Sequence, residues 1–236
     1  MHWFSRIQLN AQKNGGRRLL GNPQAMHAAV LAAFPPGKAD PTDDGRVLWR
    51  VDRNNFEYKL YVVSHSEPDF AHIVEQGGWP SAPAETKPYS PFLDRLQTGQ
   101  EWNFKLSANP VVSVMKSPGT RGVVLPHVTV AQQSQWLLDR SKRHGFELIT
   151  EQHESDGSDP SVAVTKRDSL RFSKFDNSEH QGDRNRVTIK RVEFEGALRV
   201  TNVEELRNSL VNGIGRAKAY GCGLLTLYRG SSAGGS

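Results

Sequence analysis

Four glycines lie close together near the C-terminal end of the sequence, between a predicted helix and a predicted strand; they are Gly213, Gly215, Gly221 and Gly223. Upstream, Thr201 and Glu204 have the spacing of a capping box, and apolar residues then recur at helical spacing as far as Ile214. Downstream, Leu224 begins a short apolar run that is typical of a buried strand. Glycine has no Cβ and tolerates positive φ, so the backbone of this loop can lie very close to whatever it contacts.

The loop does not match either of the common phosphate-binding motifs. A P-loop requires serine or threonine directly after its lysine, whereas Lys218 lies between two alanines. A dinucleotide-binding fingerprint requires a strand before the glycines, and here a helix comes first. Two interpretations of the loop therefore remain open on spacing alone. One is ligand binding, and the other is a helix C-terminus with a left-handed glycine that packs tightly against the next strand.

Positive charge is concentrated in three segments of the chain, which has a net charge of +5. Residues 1–39 and 206–236 contain five and four bases and no acid, and residues 161–191 contain eight bases and four acids. A single basic segment is usually a solvated face. Three such segments that converge favour a polyanion such as RNA, because each neutralised phosphate releases counterions.

Composition and spacing exclude several other classes of protein. Cys222 is the only cysteine, so an intrachain disulfide and a cysteine zinc cluster are impossible, and a reducing cytoplasm is the expected location. The eight histidines include no H-E-x-x-H pair, and we expect neither a metal nor a cofactor. No stretch approaches the ~18 consecutive apolar residues of a membrane span.

The pattern G-x-G-x-x-K-x-x-G-x-G-L-L at 213–225 resembles the glycine-rich loop of the CRISPR-associated endoribonucleases of the CasE family, which belong to the Cascade complex. Other stretches agree with that family in the right order, and they are Met26 with His27, 104–110, 135–137 and 194–196. The resemblance covers essentially the whole chain. The sequence departs from the family at two positions. Arg216 replaces a frequent proline, and Gln24 replaces a tyrosine that some members carry near the catalytic histidine.

The first half of the chain has the element order strand, helix, strand, strand, helix, strand. Asn22 caps a helix that has Pro23 at its first position. Asn54 and Asn55 indicate a hairpin turn between two strands. The predicted elements are 3–9, 23–34, 47–51, 56–63, 68–76 and an edge strand followed by a linker within 79–99. This is the βαββαβ order of ferredoxin-like and RNA-recognition modules.

The second half permits the same order. Thr129 with Gln132 begins a helix that Gly145 ends. Predicted strands are 102–106, 146–150, 162–175, 187–200 and the run after Leu224, with a second helix from Val203 and a hairpin tip at 176–185. The resemblance implies an α+β protein with two tandem ferredoxin-like (RRM-like) βαββαβ domains. The expected domains are 1–95, which carries the catalytic histidine, and 100–236, which carries a basic hairpin and the glycine-rich loop.

His27 is the candidate catalytic residue. RNA supplies its own nucleophile, the 2′-hydroxyl, so a ribonuclease needs a base, an acid for the 5′-oxygen and positive charge on the phosphate. A histidine can serve either proton-transfer role near neutral pH. His27 lies in a base-only segment and matches the catalytic histidine of the family. The alternative is a hydrogen-bonded structural histidine, and His127 and His65 are the next candidates.

The resemblance also implies which residues bind RNA. The basic strands would hold the phosphates of a duplex stem, and the glycine-rich loop would hold the backbone near the cut. Strand alternation should turn Val187 and Ile189 to one side and the bases beside them to the other. The expected RNA-binding residues are Arg167, Arg171, Lys174, Arg186, Lys190, Gly213, Gly215, Arg216, Lys218, Gly221 and Gly223.

The expected activity is metal-independent cleavage of CRISPR repeat RNA beside a stem-loop, with the product retained. The partners implied are that RNA and the other Cascade subunits, and the isolated protein should be a monomer. A non-catalytic RNA-binding module is the main alternative, because Gln24 cannot donate a proton as tyrosine does and because Ala28 and Ala29 put no base after His27. A nucleotide-binding enzyme is disfavoured by both motif failures.

Overall fold

A computed structural model describes residues 1–42, 45–115, 122–149, 162–173 and 186–229 of the 236-residue chain. Within these residues, the strands are β1 Trp3–Leu9, β2 Leu48–Asn54, β3 Glu57–Ser64, β4 Glu85–Pro88, β5 Glu101–Ala108, β6 Val111–Val114, β7 Val123–Pro126, β8 Phe146–Leu148, β9 Val162–Ser173, β10 Arg186–Val200 and β11 Leu225–Tyr228. The α-helices are α1 Asn14–Gly21, α2 Pro23–Leu31, α3 Ala71–Gly77, α4 Ser90–Leu93, α5 Val130–Ser141 and α6 Val203–Asn212. Short 3₁₀ turns follow at Lys142–His144 and Lys218–Tyr220. The predicted hairpin tip at 176–185 lies outside the described residues.

The first sheet is antiparallel and has the strand order β2-β3-β1-β4. The β2–β3 hairpin turns at Asn55, which has a positive φ of 51°, and the predicted edge strand is β4. Helices α2 and α3 cover one face, where Met26, Val30 and Ile73 are buried against Leu60. The predicted α+β class and the ferredoxin-like order of this half are confirmed.

Helix α1 was not predicted from the sequence, and its first turn contains two consecutive glycines, Gly15 and Gly16. The reason for these glycines is close packing. A Cβ on Gly16 would lie 1.8 Å from the carbonyl oxygen of Asn10, and one on Gly15 would lie 2.1 Å from that of Gln76. The two glycines thus let α1 pack directly onto the end of α3, at the helix-propensity cost of about 1 kcal/mol each.

The second sheet has the order β11-β5-β10-β8 and repeats the arrangement of the first. Strand β9 also pairs with β10, alongside the part of β10 that β8 leaves uncovered. Helix α5 begins at a capping box between Thr129 and Gln132, and Gly145 adopts a left-handed φ of 78° after it. Both helix signals are therefore confirmed, together with the tandem ferredoxin-like fold.

Two details of the second half differ from the expectation. The cap of α6 is Asn202, whose Oδ1 accepts hydrogen bonds from the N–H groups of Glu204 and Glu205. The prediction that Thr201 caps this helix was wrong, since the extended residue that begins the turn is one position later. The hairpin β6–β7 was not predicted either, although both strands are short apolar runs.

The two sheets share part of one hydrophobic core. Leu48 and Val63 from the first sheet, with Leu93 and Leu96 from the connection, belong to the same buried cluster as Phe104 and its neighbours in the second sheet. The two halves are thus held together by packing. No helix within the described residues is long and apolar enough to span a membrane.

Candidate functional site

His27 lies on α2, at the edge of the face that packs into the core. The helix is fixed by Asn22, whose Oδ1 accepts from the N–H groups of Gln24 and Ala25. The imidazole is half-buried, and its Nδ1 is buried with no hydrogen-bond partner among the described residues. Burial lowers the pKa of His27, and the positive charge of Arg46 lowers it further. His27 is consequently neutral near pH 7, the form in which an imidazole accepts a proton.

The glycine-rich loop folds back on itself and docks onto β5. Residues Lys218–Tyr220 form a 3₁₀ turn between two left-handed residues, Ala217 (φ 61°) and Gly221 (φ 75°). The N–H of Ile214 donates to the carbonyl of Gly223 (2.9 Å), and the N–H of Gly223 donates to Ser107 (2.6 Å). The loop is therefore held in one conformation by backbone hydrogen bonds at both of its ends.

Close packing requires glycine at several of these positions. A Cβ on Gly221 would lie 2.6 Å from the ring of Trp49, one on Gly213 would lie 2.9 Å from Leu48, and one on Gly215 would lie 3.0 Å from the ring of Trp136. Gly213, Gly221 and Gly223 are buried. The packing interpretation of the loop is thus supported. Contact between these glycines and RNA stays a prediction, and Gly213 and Gly215 are the two that line an open cavity.

The 3₁₀ turn carries Tyr220 against the candidate catalytic residue. The ring centroids of His27 and Tyr220 are 6.3 Å apart. On its other side, Tyr220 contacts Phe172 of β9, with ring centroids 4.6 Å apart. Helix α2, the glycine-rich loop and β9 therefore meet at His27, although they are far apart in the sequence.

One cation, Arg46, acts on His27, and a second, Lys218, lies two residues before Tyr220, whose ring contacts His27. Lys218 is half-buried, and its pKa is lowered by burial and by the charge of Arg46. Arg46 influences both His27 and Lys218, and its Nε is buried without a partner among the described residues. Arg46 comes just before β2, in a stretch with no motif that would predict a function. These cations could stabilise the negative charge that develops on a phosphate beside His27.

Lys218 and Arg216 also line a basic cavity of about 560 Å³ between α5, β6 and the glycine-rich loop. Arg140, Arg143 and His144 line its other side, with Asp139 as the acid among them. Burial lowers the pKa of His144 to about 4, assisted by the charges of Arg143, Lys218 and Arg140. A concave surface with this excess of positive charge suits phosphate groups. Arg140 and Arg143 were not predicted as binding residues, because in the sequence they are ordinary bases near the end of a predicted helix.

The basic face of β9 and β10 is partly as predicted. Val187 and Ile189 are more buried than Thr188 and Lys190, so the expected alternation is confirmed. Arg171 pairs with Thr188 and is exposed on the same face as Lys190. The Nη1 of Arg167 donates to the carbonyl of Val128 (3.1 Å). Lys174 and the side chain of Arg186 lie outside the described residues, so their roles stay predictions.

His127 connects this face to the basic cavity. It lines the 560 Å³ cavity and also a smaller one of about 250 Å³, whose lining includes Arg167 and Lys190. A continuous basic surface thus runs from the β9–β10 face, past His127, to Lys218. Two other histidines are structural, since His72 hydrogen-bonds the carbonyl of Ala29 (2.9 Å) and His144 hydrogen-bonds Ser209 (2.7 Å). No group of His, Cys, Asp and Glu suited to a metal ion occurs within the described residues.

Comparison with known proteins places this geometry in a family. The CRISPR-associated endoribonuclease Cse3 of Thermus thermophilus is 28% identical over 227 residues, which are 95% of this chain and 99% of that protein. The Cascade subunit CasE of Escherichia coli is 25% identical over 196 residues, or 76% of this chain and 87% of that protein. These two matches agree with the resemblance that the sequence motifs indicated.

Solved structures agree with these sequence matches. Thermus thermophilus Cse3 bound to an RNA representing a pre-cleavage complex superposes with a TM-score of 0.75 at 27% identity, covering 96% of this chain and 98% of that one. Cas6e of Escherichia coli, at 20% identity and a TM-score of 0.54, shares the fold. The family model described as CRISPR associated protein matches residues 2–229, and the chain therefore belongs to the family of CRISPR-associated proteins.

Proposed function

We propose that the protein is an endoribonuclease that cleaves CRISPR repeat RNA beside a stem-loop and remains bound to its product. The observation that carries the proposal is a neutral, half-buried His27 that is influenced by the charge of Arg46 and contacts Tyr220 of the glycine-rich loop, whose Lys218 lines the basic cavity. The similarity to a relative named as an endoribonuclease supports it.

The expected reaction is transesterification within the RNA. His27 accepts the proton of the 2′-hydroxyl, the 2′-oxygen attacks the adjacent phosphorus, and the bond from phosphorus to the 5′-oxygen breaks. The products are a 2′,3′-cyclic phosphate and a 5′-hydroxyl. Lys218 and Arg46 stabilise the charge on the phosphoryl oxygens, and this role requires no metal ion.

The duplex stem would lie along the basic surface. Arg167, Arg171 and Lys190 bind its phosphates on the β9–β10 face, and Arg140, Arg143 and Arg216 bind them in the cavity. Lys174 and Arg186 would extend this face. Gly213, Gly215, Gly221 and Gly223 hold Lys218 in place and bring the loop backbone near the cut.

The same proposal covers partners and organisation. Cascade subunits are the expected protein partners, since one relative is named as a subunit of that complex. In isolation the protein should be a monomer, and the cytoplasm is the expected location. We place the domains at 1–95 and 100–236, in agreement with the strands that form each sheet.

One experiment separates this function from its alternatives. The purified protein is incubated with a repeat stem-loop RNA in EDTA, and the ends of the products are analysed. Products with a 2′,3′-cyclic phosphate are expected. Tight binding without cleavage would favour the non-catalytic module, although Arg46 and Lys218 supply the charge that Ala28 and Ala29 do not. ATP binding in calorimetry would instead favour a nucleotide-binding enzyme.

Salt dependence should report the phosphate contacts of the β9–β10 face. The double change Arg171→Ala and Lys190→Ala removes two exposed charges, so the slope of log affinity against log salt should become shallower by about 2. The control is Lys87→Ala with Arg95→Ala, which makes the same charge change outside the basic segments. Equal slopes for the two double variants, measured by filter binding, would remove this face from the RNA-binding surface.

Lys218→Ala should reduce cleavage by about 10-fold to 10²-fold, the range expected when a charge-assisted hydrogen bond is lost. This change demands no new backbone angle, whereas a substitution at Gly221 does. Arg216→Ala, which removes an exposed charge from the same loop, is the matched control and should affect binding more than the rate. If single-turnover cleavage and affinity both stay unchanged in Lys218→Ala, the loop has a packing role alone.

A further inference from the structure

Tyr220 in the glycine-rich loop contacts rings from two other elements. It ends the 3₁₀ turn that lies between the left-handed residues Ala217 and Gly221. Phe172 supports the ring from β9 at 4.6 Å, and His27 lies 6.3 Å away on α2.

The proposed reaction lacks one component. Once the bond to the 5′-oxygen breaks, that oxygen needs a proton, and His27 is occupied as the base. Gln24 lies one helical turn before His27, and its Oε1 is buried without a partner among the described residues. A carboxamide is too weak an acid to donate a proton to an alkoxide. Tyr220 carries a phenolic hydroxyl on the ring that contacts His27.

We propose that the hydroxyl of Tyr220 is the general acid that protonates the 5′-oxygen leaving group, an inference that rests on the endoribonuclease activity proposed above. It assigns to the loop the proton-donor role that Gln24 cannot perform on α2. Tyr220 is then a catalytic residue in the strict sense, because its hydroxyl touches a reacting atom.

The step balances. His27 takes the proton from the 2′-hydroxyl, the bond from the 2′-oxygen to phosphorus forms, the bond from phosphorus to the 5′-oxygen breaks, and the 5′-oxygen takes the phenolic proton. This leaves an imidazolium and a phenolate. Solvent water then carries the proton from the more acidic imidazolium to the phenolate, which restores both groups. The positive charge of Arg46, which acts on both His27 and Lys218, favours the transient phenolate.

The placement of the two residues suits this division of roles. In an in-line displacement, the attacking and leaving oxygens lie on opposite sides of phosphorus, so the base and the acid must act from two sides of the phosphate. His27 and Tyr220 come from different elements and their rings are in contact, with centroids 6.3 Å apart, so a phosphate would bind across the outer edges of the two rings. Both residues are only partly buried, so a phosphodiester can reach them from solvent.

The first test is Tyr220→Phe, which removes the hydroxyl and keeps the ring that packs on Phe172. Single-turnover cleavage of repeat RNA should slow about 10²-fold, while RNA affinity and the melting temperature stay unchanged. Tyr228→Phe is the matched control, because Tyr228 is an exposed tyrosine on β11. It should cleave at the wild-type rate. Cleavage at the full rate in Tyr220→Phe would overturn the proposal.

The second test changes the leaving group. In an RNA with sulfur in place of the bridging 5′-oxygen, the leaving thiolate needs no proton. Tyr220→Phe should cleave this RNA as fast as the wild type, whereas His27→Ala should stay slow.

A defect of Tyr220→Phe that persists on the sulfur substrate would make Tyr220 a positioning residue. Rescue of Lys218→Ala by sulfur, without rescue of Tyr220→Phe, would make Lys218 the acid. Both results contradict the proposal. A wild-type protein that leaves repeat RNA intact would refute the endoribonuclease activity itself, which is a distinct outcome.

Discussion

Alanine in place of His27 should slow the cleavage of repeat RNA by about 10² to 10⁴-fold while leaving RNA affinity nearly unchanged. The imidazole is one small group that lines neither of the two basic cavities, so removing it deletes proton transfer and few binding contacts. The change should also leave the fold intact, because the core positions of α2 are Met26 and Val30. Single-turnover assays at saturating protein measure the chemical step without interference from slow product release.

His127→Ala is the matched control for this prediction, since His127 lies on the same basic surface and lines two cavities. It should weaken binding and preserve the chemical step. If His27→Ala cleaves at the full rate and His127→Ala does not, the assignment of the catalytic base is wrong and His127 replaces His27.

The pH profile gives an independent check on the same residue. Burial and Arg46 hold the pKa of His27 below its ordinary value of 6.5, so the neutral base persists when the pH falls through 6.5. The inflection in the wild-type rate constant should therefore lie at a pH below 6.5. An inflection above 6.5 that disappears in His27→Ala would contradict this description of the site. EDTA should leave the profile unchanged.

Local signals in the sequence predicted much of the fold correctly. Asn22 with Pro23, and Thr129 with Gln132, mark helix starts because each side chain binds backbone N–H groups only a few residues away. The alternation at 187–190 predicts which side of β10 is exposed for a similar reason. The misplaced cap at Thr201 shows the limit of such signals. Asn202 is also a favourable cap, and spacing does not decide between neighbouring residues.

The site was less predictable, because it depends on contacts between distant parts of the chain. His27 was identified through the family resemblance. Its neutral state could not be predicted from the sequence, since that state depends on burial and on Arg46. The contact between His27 and Tyr220 spans most of the chain and leaves no periodic pattern. Glycine spacing indicated a close approach in the loop, and only the structure identifies Trp49, Leu48 and Trp136 as the neighbours.

The junction between the two sheets was not predicted at all, and it depends on Arg50. This arginine lies on β2 with 2% of its surface exposed, and it binds Asp52 through Nε (2.6 Å) and Nη2 (3.0 Å). Its Nη1 donates to the carbonyls of Lys105 (2.9 Å) and Leu224 (3.0 Å), and its Nη2 donates to Thr226 (2.9 Å). A single side chain thus joins the edge of the first sheet to β5 and β11 of the second.

Ion pairs continue from this point across the second sheet. Lys105 lies 4.0 Å from Asp52, 3.5 Å from Glu193 and 2.8 Å from Glu195. Burial would lower the pKa of Lys105, but the hydrogen bond to Glu195 and the charges of Asp52 and Glu193 outweigh it and raise that pKa. Asp52 is consequently held between two cations, one from each half of the chain. The relative position of His27 on α2 and Lys218 after α6 depends on this junction.

Arg50→Ala should therefore lower the free energy of unfolding by about 3 to 5 kcal/mol, the cost of leaving one partner of a buried pair uncompensated. Asp52 and two backbone carbonyls lose their donors at once, and water cannot replace them without opening the junction. Urea denaturation followed by tryptophan fluorescence measures the loss. Arg53→Ala is the control on the same strand. Arg53 is exposed, and its contacts are a cation–π contact with Tyr58 and a long hydrogen bond to the carbonyl of Asn55, so its loss should cost less than about 1 kcal/mol. Equal losses in the two variants would mean that apolar packing alone holds the sheets together.

If the junction also positions the site, Arg50→Ala should slow cleavage at temperatures well below its melting temperature, and Arg53→Ala should not.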